Sequence, residues 1–296
     1  MLLVSKYTAI KQLLYGYLMA VLSIYTYKNK SICILEKKIP LSKGRDKNKI
    51  FYITGIALQL SKYEKLPAME VAETITSHFS EESADVFSVQ IVPPGWIYLE
   101  LTHPVLAAWL QSLAAGGVGN WAWGKGQGAR DKGQGKNQYF NTQCPMPNTQ
   151  FPMPNAPCSL SHSLFTVQYA HARCCSLLRM AERERFIISA NAIPWLNNQQ
   201  KLRLNHPVEL SLVSELVQVV DEIGCSGSDG SVKWEKLALS LSQAFEEFWR
   251  SCRIWGEVKA ISPELAQTRL GLVMATQSVL RFLLEEKLGI FAPLEL

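Results

Sequence analysis

The chain has 296 residues, 48% of them hydrophobic and 19% charged, with a formal net charge of +5. That length accommodates two domains with buried cores, and the mild positive excess permits a polyanionic partner without requiring one. Seven cysteines, with no C-x-x-C pair and with Cys174 and Cys175 adjacent, argue against a disulfide scaffold and suit a reducing compartment. No Cys/His quartet has zinc-ligand spacing, so no metal is expected.

Residues 1–47 are expected to be a leader of uncertain structure. Gln12–Tyr27 is an uncharged, mostly apolar run of 16 residues between lysines. A membrane span needs roughly 20 residues, and no small-residue cleavage site precedes Lys28. A membrane contact is therefore not expected, and Lys37–Lys49 looks like a basic linker. Residues 48–115 are expected to form a small α/β module. Ile50–Tyr63 has a helical pattern, and Pro67 suits the first turn of a second helix, followed by Val71, Ile75 and Phe79 at four-residue spacing. Phe87, Val89 and Ile91 alternate with polar residues, as do Ile97, Leu99 and Leu101. This predicts two strands joined by a turn at Pro93-Pro94-Gly95. Thr102 and Pro104 open a further helix that Gly116 can end.

Residues 116–158 are low in complexity. Gly124–Arg130 is echoed by Asp131–Asn137, and Pro145–Phe151 by Pro152–Cys158, each with a seven-residue period. No apolar heptad accompanies the period, so a coiled coil is excluded. A tandem seven-nucleotide repeat read through three frames would produce it, and a disordered Gly/Pro linker is expected. Gly119–Lys125 spells G-x-x-x-x-G-K, but Gly126 stands where a phosphate loop needs Ser or Thr, and no buried strand leads in.

Residues 159–296 are expected to fold as an antiparallel helical bundle. The first helix spans about Ser163–Arg185, the second starts at Pro207 and stops at Gly224, and the third runs from about Ser231 to before Gly256. The fourth opens on Ser262-Pro263-Glu264 and runs to Gly289. Trp234, Leu237, Leu241, Phe245 and Phe248 mark the apolar stripe of the third. Leu270, Val273, Leu280 and Leu284 mark part of the fourth. On a wheel of about 100° per residue, the first helix gathers Val167, Ala170, Cys174, Leu177, Leu178 and Ala181 on a core face. Tyr169, Arg173, Ser176, Met180 and Arg183 lie opposite, flanked by Gln168 and Arg179, with His171 at the edge of the apolar face. An exposed ring, an amide and several guanidinium groups suit unpaired RNA, whose bases stack on Tyr or Arg and whose phosphates take Arg. An ordinary solvated face, with Glu182 and Glu184 paired to the arginines, is the alternative.

Val167-Gln168-Tyr169-Ala170-His171-Ala172-Arg173 and Ser176-Leu177-Leu178-Arg179 resemble the signature of the DALR anticodon-binding domain of arginyl-tRNA synthetases. Leu204–Glu209 resembles its L-x-H-P-x-E helix start, Ala244–Cys252 its A-x-x-F-x-x-F-Y-x-x-C helix, and Arg269–Pro293 its closing helix and tail. Residues about 51–114, with Val89–Ile97 at their turn, resemble the N-terminal module of the same family, which contacts the tRNA elbow. The resemblance implies a mainly α fold: a DALR-type bundle plus a small N-terminal α+β module. It implies tRNA as partner, foremost arginine tRNA, with Gln168, Tyr169, His171, Arg173, Arg179 and Arg183 as tRNA-binding residues. An aminoacyl-tRNA synthetase is a further candidate partner, and a cytoplasmic location is expected.

The Rossmann-type catalytic core of that family has no counterpart here. The histidines are His78, His103, His162, His171 and His206; none form H-x-G-H, and no K-M-S-K-like run occurs. Without strand–helix alternation for a nucleotide fold, no catalytic residue, ATP or other cofactor is expected. The leading expectation is a tRNA-binding protein that does not aminoacylate alone. The alternatives are a subunit of a split arginine–tRNA ligase and a degenerate protein-interaction module.

Overall fold

The computed structural model describes residues 9–29, 39–46, 49–79, 81–116, 158–186, 193–225 and 232–296. The repeats of the low-complexity stretch and its phosphate-loop-like run lie outside the described residues. A small α+β module precedes a helical bundle, and the buried side chains of both form one continuous core.

The module opens with α1 (Ile10–Asn29), a helix within the stretch expected to be a leader of uncertain structure. Leu14, Leu18, Val21, Leu22 and Tyr25 are buried; their three- and four-residue spacings give one apolar face for packing. No helix among the described residues is long and apolar enough to cross a membrane. Strands β1 (Leu41–Lys43), β2 (Phe51–Thr54), β3 (Phe87–Val92) and β4 (Trp96–Leu101) form an antiparallel sheet in the order β1-β2-β4-β3. The basic stretch around Lys43 thus carries an edge strand. Phe51–Thr54, expected to begin a helix, instead pairs with β4 in the register Tyr52↔Leu99; an aromatic and β-branched run favours a pleated surface. Helices α2 (Ile56–Glu64) and α3 (Ala68–Thr76) follow, then a single turn α4 (Glu81–Ala84). The β3–β4 hairpin forms as expected. Its Gly95 has φ +143°, and a Cβ there would lie 2.9 Å from Ala68, so the turn can sit against α3 only without a side chain. Helix α5 (His103–Ala114) closes the module, and Gly116 follows it in a left-handed conformation, as expected of a helix-ending glycine.

The bundle comprises α6 (Cys158–Arg183), α7 (Pro207–Cys225), α8 (Trp234–Ser251), a short α9 (Glu257–Ile261) and α10 (Pro263–Phe282), which runs into a π-turn at Leu283–Lys287. Ser262 holds the N-cap position of α10, but its side chain makes no capping bond. Helix α6 packs on α8 and α10, and α7 on α8. Leu241, Phe245, Phe248, Leu270, Val273, Leu280 and Leu284 are all buried, as their stripes predict. The start of α7 is fixed by Glu209, which is fully buried. Its Oε2 accepts the backbone N–H groups of Asn205 and His206 at 3.0 Å each, and its Oε1 takes Arg269 Nε of α10 at 2.6 Å. Arg269 also donates to the Arg253 carbonyl.

The module docks directly on the bundle. Helix α5 lies along α10, and α1 along α7. Trp195 Nε1 donates to Gln111 Oε1 at 3.0 Å, and Leu202 N–H to His103 Nδ1 at 3.2 Å. Buried Asp221 of α7 accepts the Lys11 N–H at 2.9 Å and the Tyr52 hydroxyl. Lys43 Nζ donates to the Ser214 carbonyl at 2.7 Å. Gly224 permits the α1–α7 approach, since a Cβ would lie 2.4 Å from Ala9 Cβ.

Burial raises the Asp221 carboxyl to about 6, against the pull of the Lys11 N–H, Tyr52 and the nearby lysines. The folded protein thus holds a proton that the unfolded chain releases near pH 4. The stability contributed by this group is fully present below about pH 4 and is lost as pH rises through about 6. Wild type should gain up to about 3 kcal/mol relative to Asp221→Asn as pH falls from 7.5 towards 4. Denaturant titrations of both proteins across that range check it, and a constant difference would refute the assignment. Glu209→Ala should cost about 3–5 kcal/mol by leaving Arg269 buried and unpaired, measured in the same assay at pH 7.

Candidate nucleic-acid interface

Helix α6 divides as its wheel predicts along most of its length. Val167, Ala170, Cys174, Leu177 and Ala181 are buried, and Leu178 is half-buried. Tyr169 is 41% exposed; Ser176 and Arg183 are exposed, and Arg173, Arg179 and Met180 are half-buried. These side chains line a groove of about 410 Å³ together with Glu295 and Leu296. A smaller hollow of about 180 Å³ continues from Tyr169 and Arg173 to Phe245, Glu246, Trp249 and Arg250 of α8. Glu184 pairs with Lys259 at 2.6 Å, so this carboxylate does not neutralise the arginines of the strip.

The tail after α10 folds back along α6 and explains what the wheel missed. Gln168 Nε2 donates to the Phe291 carbonyl at 2.9 Å, and Arg179 Nη2 to the Leu294 carbonyl at 3.2 Å. Between them His171 Nδ1 meets the Pro293 carbonyl at 2.8 Å. A carbonyl only accepts, so Nδ1 carries the proton and Nε2 is free to accept from Gln277 Nε2, 3.0 Å away. His171 has no exposed surface and is withdrawn from the tRNA-contacting set. It is a neutral core histidine whose burial pushes its pKa below the usual imidazole value. Ala172 and Cys175 are buried on the same side.

The groove is therefore bounded by Tyr169, Arg173, Arg179 and Arg183, with Gln168 and Arg179 also tying down the tail. Arg179 Nη2 lies 3.1 Å from Glu295 Oε1, a pair whose carboxylate is largely exposed, so that it contributes little energy and solvent or another anion can exchange with it. Arg173 stacks over Trp249, 5.0 Å from the ring centroid, and its buried Nε has no acceptor among the described residues. Trp249 was not among the expected site residues. It lies four residues after Phe245, at the margin of the apolar stripe of α8, and packs partly against the core; a large ring at that margin is the signal that could have marked it. The surface thus offers flat rings and guanidinium donors around an open groove, the chemistry that holds stacked bases and phosphates.

Among the described residues, no three His, Cys, Asp or Glu side chains converge to hold a metal ion. Cys174, Cys175, Cys225 and Cys252 are free thiols. Burial raises the thiols of Cys174, Cys175 and Cys252, that of Cys252 to about 11, which keeps them protonated and poorly nucleophilic.

Residues 167–296 match the family model of the DALR anticodon binding domain, and the groove lies within that stretch. Among curated proteins, this part is similar to the arginine–tRNA ligase of Synechococcus sp. (strain JA-3-3Ab), with 37% identity over 43% of this chain and 21% of the ligase. It is similar to the ligase of Pelodictyon phaeoclathratiforme, with 40% identity over 42% of this chain and 21% of the ligase. The ligase of Ruminiclostridium cellulolyticum shares 34% identity over 46% and 22%. The match thus spans about a fifth of each relative's length.

His171→Leu should cost about 1–3 kcal/mol by leaving the Pro293 carbonyl unpaired in a buried position and removing the acceptor of the Gln277 amide. It should also raise amide hydrogen exchange across residues 288–296. Unchanged exchange there would show that His171 does not hold the tail.

Proposed function

We propose that this chain binds tRNA by the anticodon loop, arginine tRNA foremost, and does not aminoacylate it alone. The observation that carries this reading is the α6 groove. Three arginines and an exposed tyrosine converge there, on a domain matched to an anticodon-binding family. Tyr169 stacks an unpaired base, and Arg173, Arg179 and Arg183 meet the loop phosphates. Gln168 acts indirectly by fixing the tail that forms the rim of the groove. Trp249 holds the Arg173 guanidinium in place from below. The N-terminal module lies nearer the body of the same tRNA, as its resemblance implies.

Aminoacylation needs a site that orients ATP phosphates and stabilises the charge developing during adenylate formation. The chain has no H-x-G-H or K-M-S-K-like segment, and the described strands form an antiparallel sheet rather than a parallel nucleotide-binding one. The function therefore rests on binding.

Filter binding of purified protein to arginine tRNA and to other tRNAs tests the proposal. Tyr169→Ala should weaken binding about 5- to 100-fold. Arg173→Ala should weaken it and flatten the salt dependence, because fewer counterions are released. Wild-type affinity in both variants would remove the site assignment. Exchange of pyrophosphate into ATP by the lone protein with arginine would overturn the non-catalytic reading.

A further inference from the structure

The groove along α6 carries an anion of its own. Among the described residues that line it, Arg173, Arg179 and Arg183 are basic and Glu295 alone is acidic. That carboxylate belongs to the tail after α10 and lies 3.1 Å from Arg179 Nη2. The same nitrogen donates to the Leu294 carbonyl at 3.2 Å. A guanidinium Nη bears two N–H groups, so one serves the carbonyl and the other the carboxylate.

These two contacts do different things. The tail is fastened to α6 through three backbone carbonyls, that of Phe291 to Gln168, of Pro293 to His171 and of Leu294 to Arg179. None of these bonds uses the Glu295 carboxylate. The Glu295 side chain is 78% exposed, and so wet a pair adds little to the hold. What the carboxylate faces explains its position better. A carboxylate and a phosphate make the same charge-assisted contact to a guanidinium. Glu295 thus fills, with an oxygen of the chain itself, the place beside Arg179 that a phosphate of a bound strand needs. Swinging it into solvent costs little, and the Leu294 carbonyl keeps the guanidinium in place while it goes.

We propose that Glu295 is a built-in competitor for the RNA phosphate that Arg179 receives. The carboxylate occupies Arg179 in the free protein and is expelled when the strand enters the groove. This rests on the anticodon-loop reading above and adds to it the control of one phosphate contact. Arg179 then gives up a tethered carboxylate instead of a free counterion, so its contact adds nothing to the salt dependence of binding. The groove keeps this arginine aligned without gathering loose anions, at the cost of some affinity for the strand.

Filter binding of the full chain to arginine tRNA over a salt series is the test. Glu295→Gln should bind about 2- to 5-fold tighter at low salt, the range an exposed ion pair is worth. Its salt slope should be steeper by about 0.7, because Arg179 now sheds a counterion. Glu295→Lys should go further in both respects. In an Arg179→Ala background, Glu295→Gln should gain nothing. Amide exchange over residues 288–296 should match wild type in Glu295→Gln, since the carbonyl bonds of the tail remain. Raised exchange there would make Glu295 an anchor of the tail and overturn the proposal. Wild-type or weaker binding by Glu295→Gln, with Tyr169→Ala still impaired, would overturn the competitor and leave the groove assignment standing. So would a gain that persists undiminished in the Arg179→Ala background. Wild-type binding by both Tyr169→Ala and Arg173→Ala would overturn the groove assignment and the competitor together.

Discussion

A carboxylate with no exposed surface sets the geometry on which the bundle depends. Glu209 accepts two backbone N–H groups in the turn that opens α7, and its other oxygen takes the guanidinium of Arg269 on α10. Arg269 in turn reaches the Arg253 carbonyl after α8. Three helix-bearing segments are therefore referred to one buried charge. Such a pair adds little net stability compared with an apolar contact of the same volume, but it tolerates very little displacement. Helix α10 thus held carries Gln277 to His171, and His171 holds the Pro293 carbonyl. The floor and the rim of the α6 groove are both placed through this chain of contacts.

The groove separates the residues that build it from those left open to a ligand. Gln168 and His171 each bond a tail carbonyl, and Arg179 divides its guanidinium between a carbonyl and Glu295. Tyr169 and Arg183 remain open to the groove. Arg173 lies on Trp249 with one buried nitrogen lacking a protein acceptor. The surface is thus partly pre-arranged: the guanidinium groups of Arg173 and Arg179 are already held by Trp249 and by the tail, which lowers the conformational entropy lost when a ligand orders them.

Much of this was legible from periodicity. The apolar stripes of α6, α8 and α10 fall where three- and four-residue spacings put them, and the β3–β4 hairpin follows its alternation and its turn residues. The exposed side of α6 was legible for Tyr169, Ser176 and Arg183, while Arg173 is half-buried against Trp249. What a wheel cannot contain is a segment more than a hundred residues away, so His171 is buried against the tail although its position borders the solvent face. The same limit applies to Gln12–Tyr27. Its apolar run was readable, but its burial depends on α7, and only the fold brings Asp221 to Lys11 and Tyr52. At Phe51–Thr54 a helical spacing competed with strand propensity, and pairing with β4 decided the outcome.

The direct docking of the module on the bundle bears on how the protein can be divided. Buried side chains run without a break from Leu14 and Tyr52 through Leu110 to Val217 and Val273. A fragment starting near residue 159 would strip α5 from α10 and α1 from α7, baring two apolar helix faces and leaving Asp221 without its partners. Such a piece would tend to self-associate through those faces. The smallest dependable unit for biochemical work is therefore the two parts together, even though the family match covers only the second.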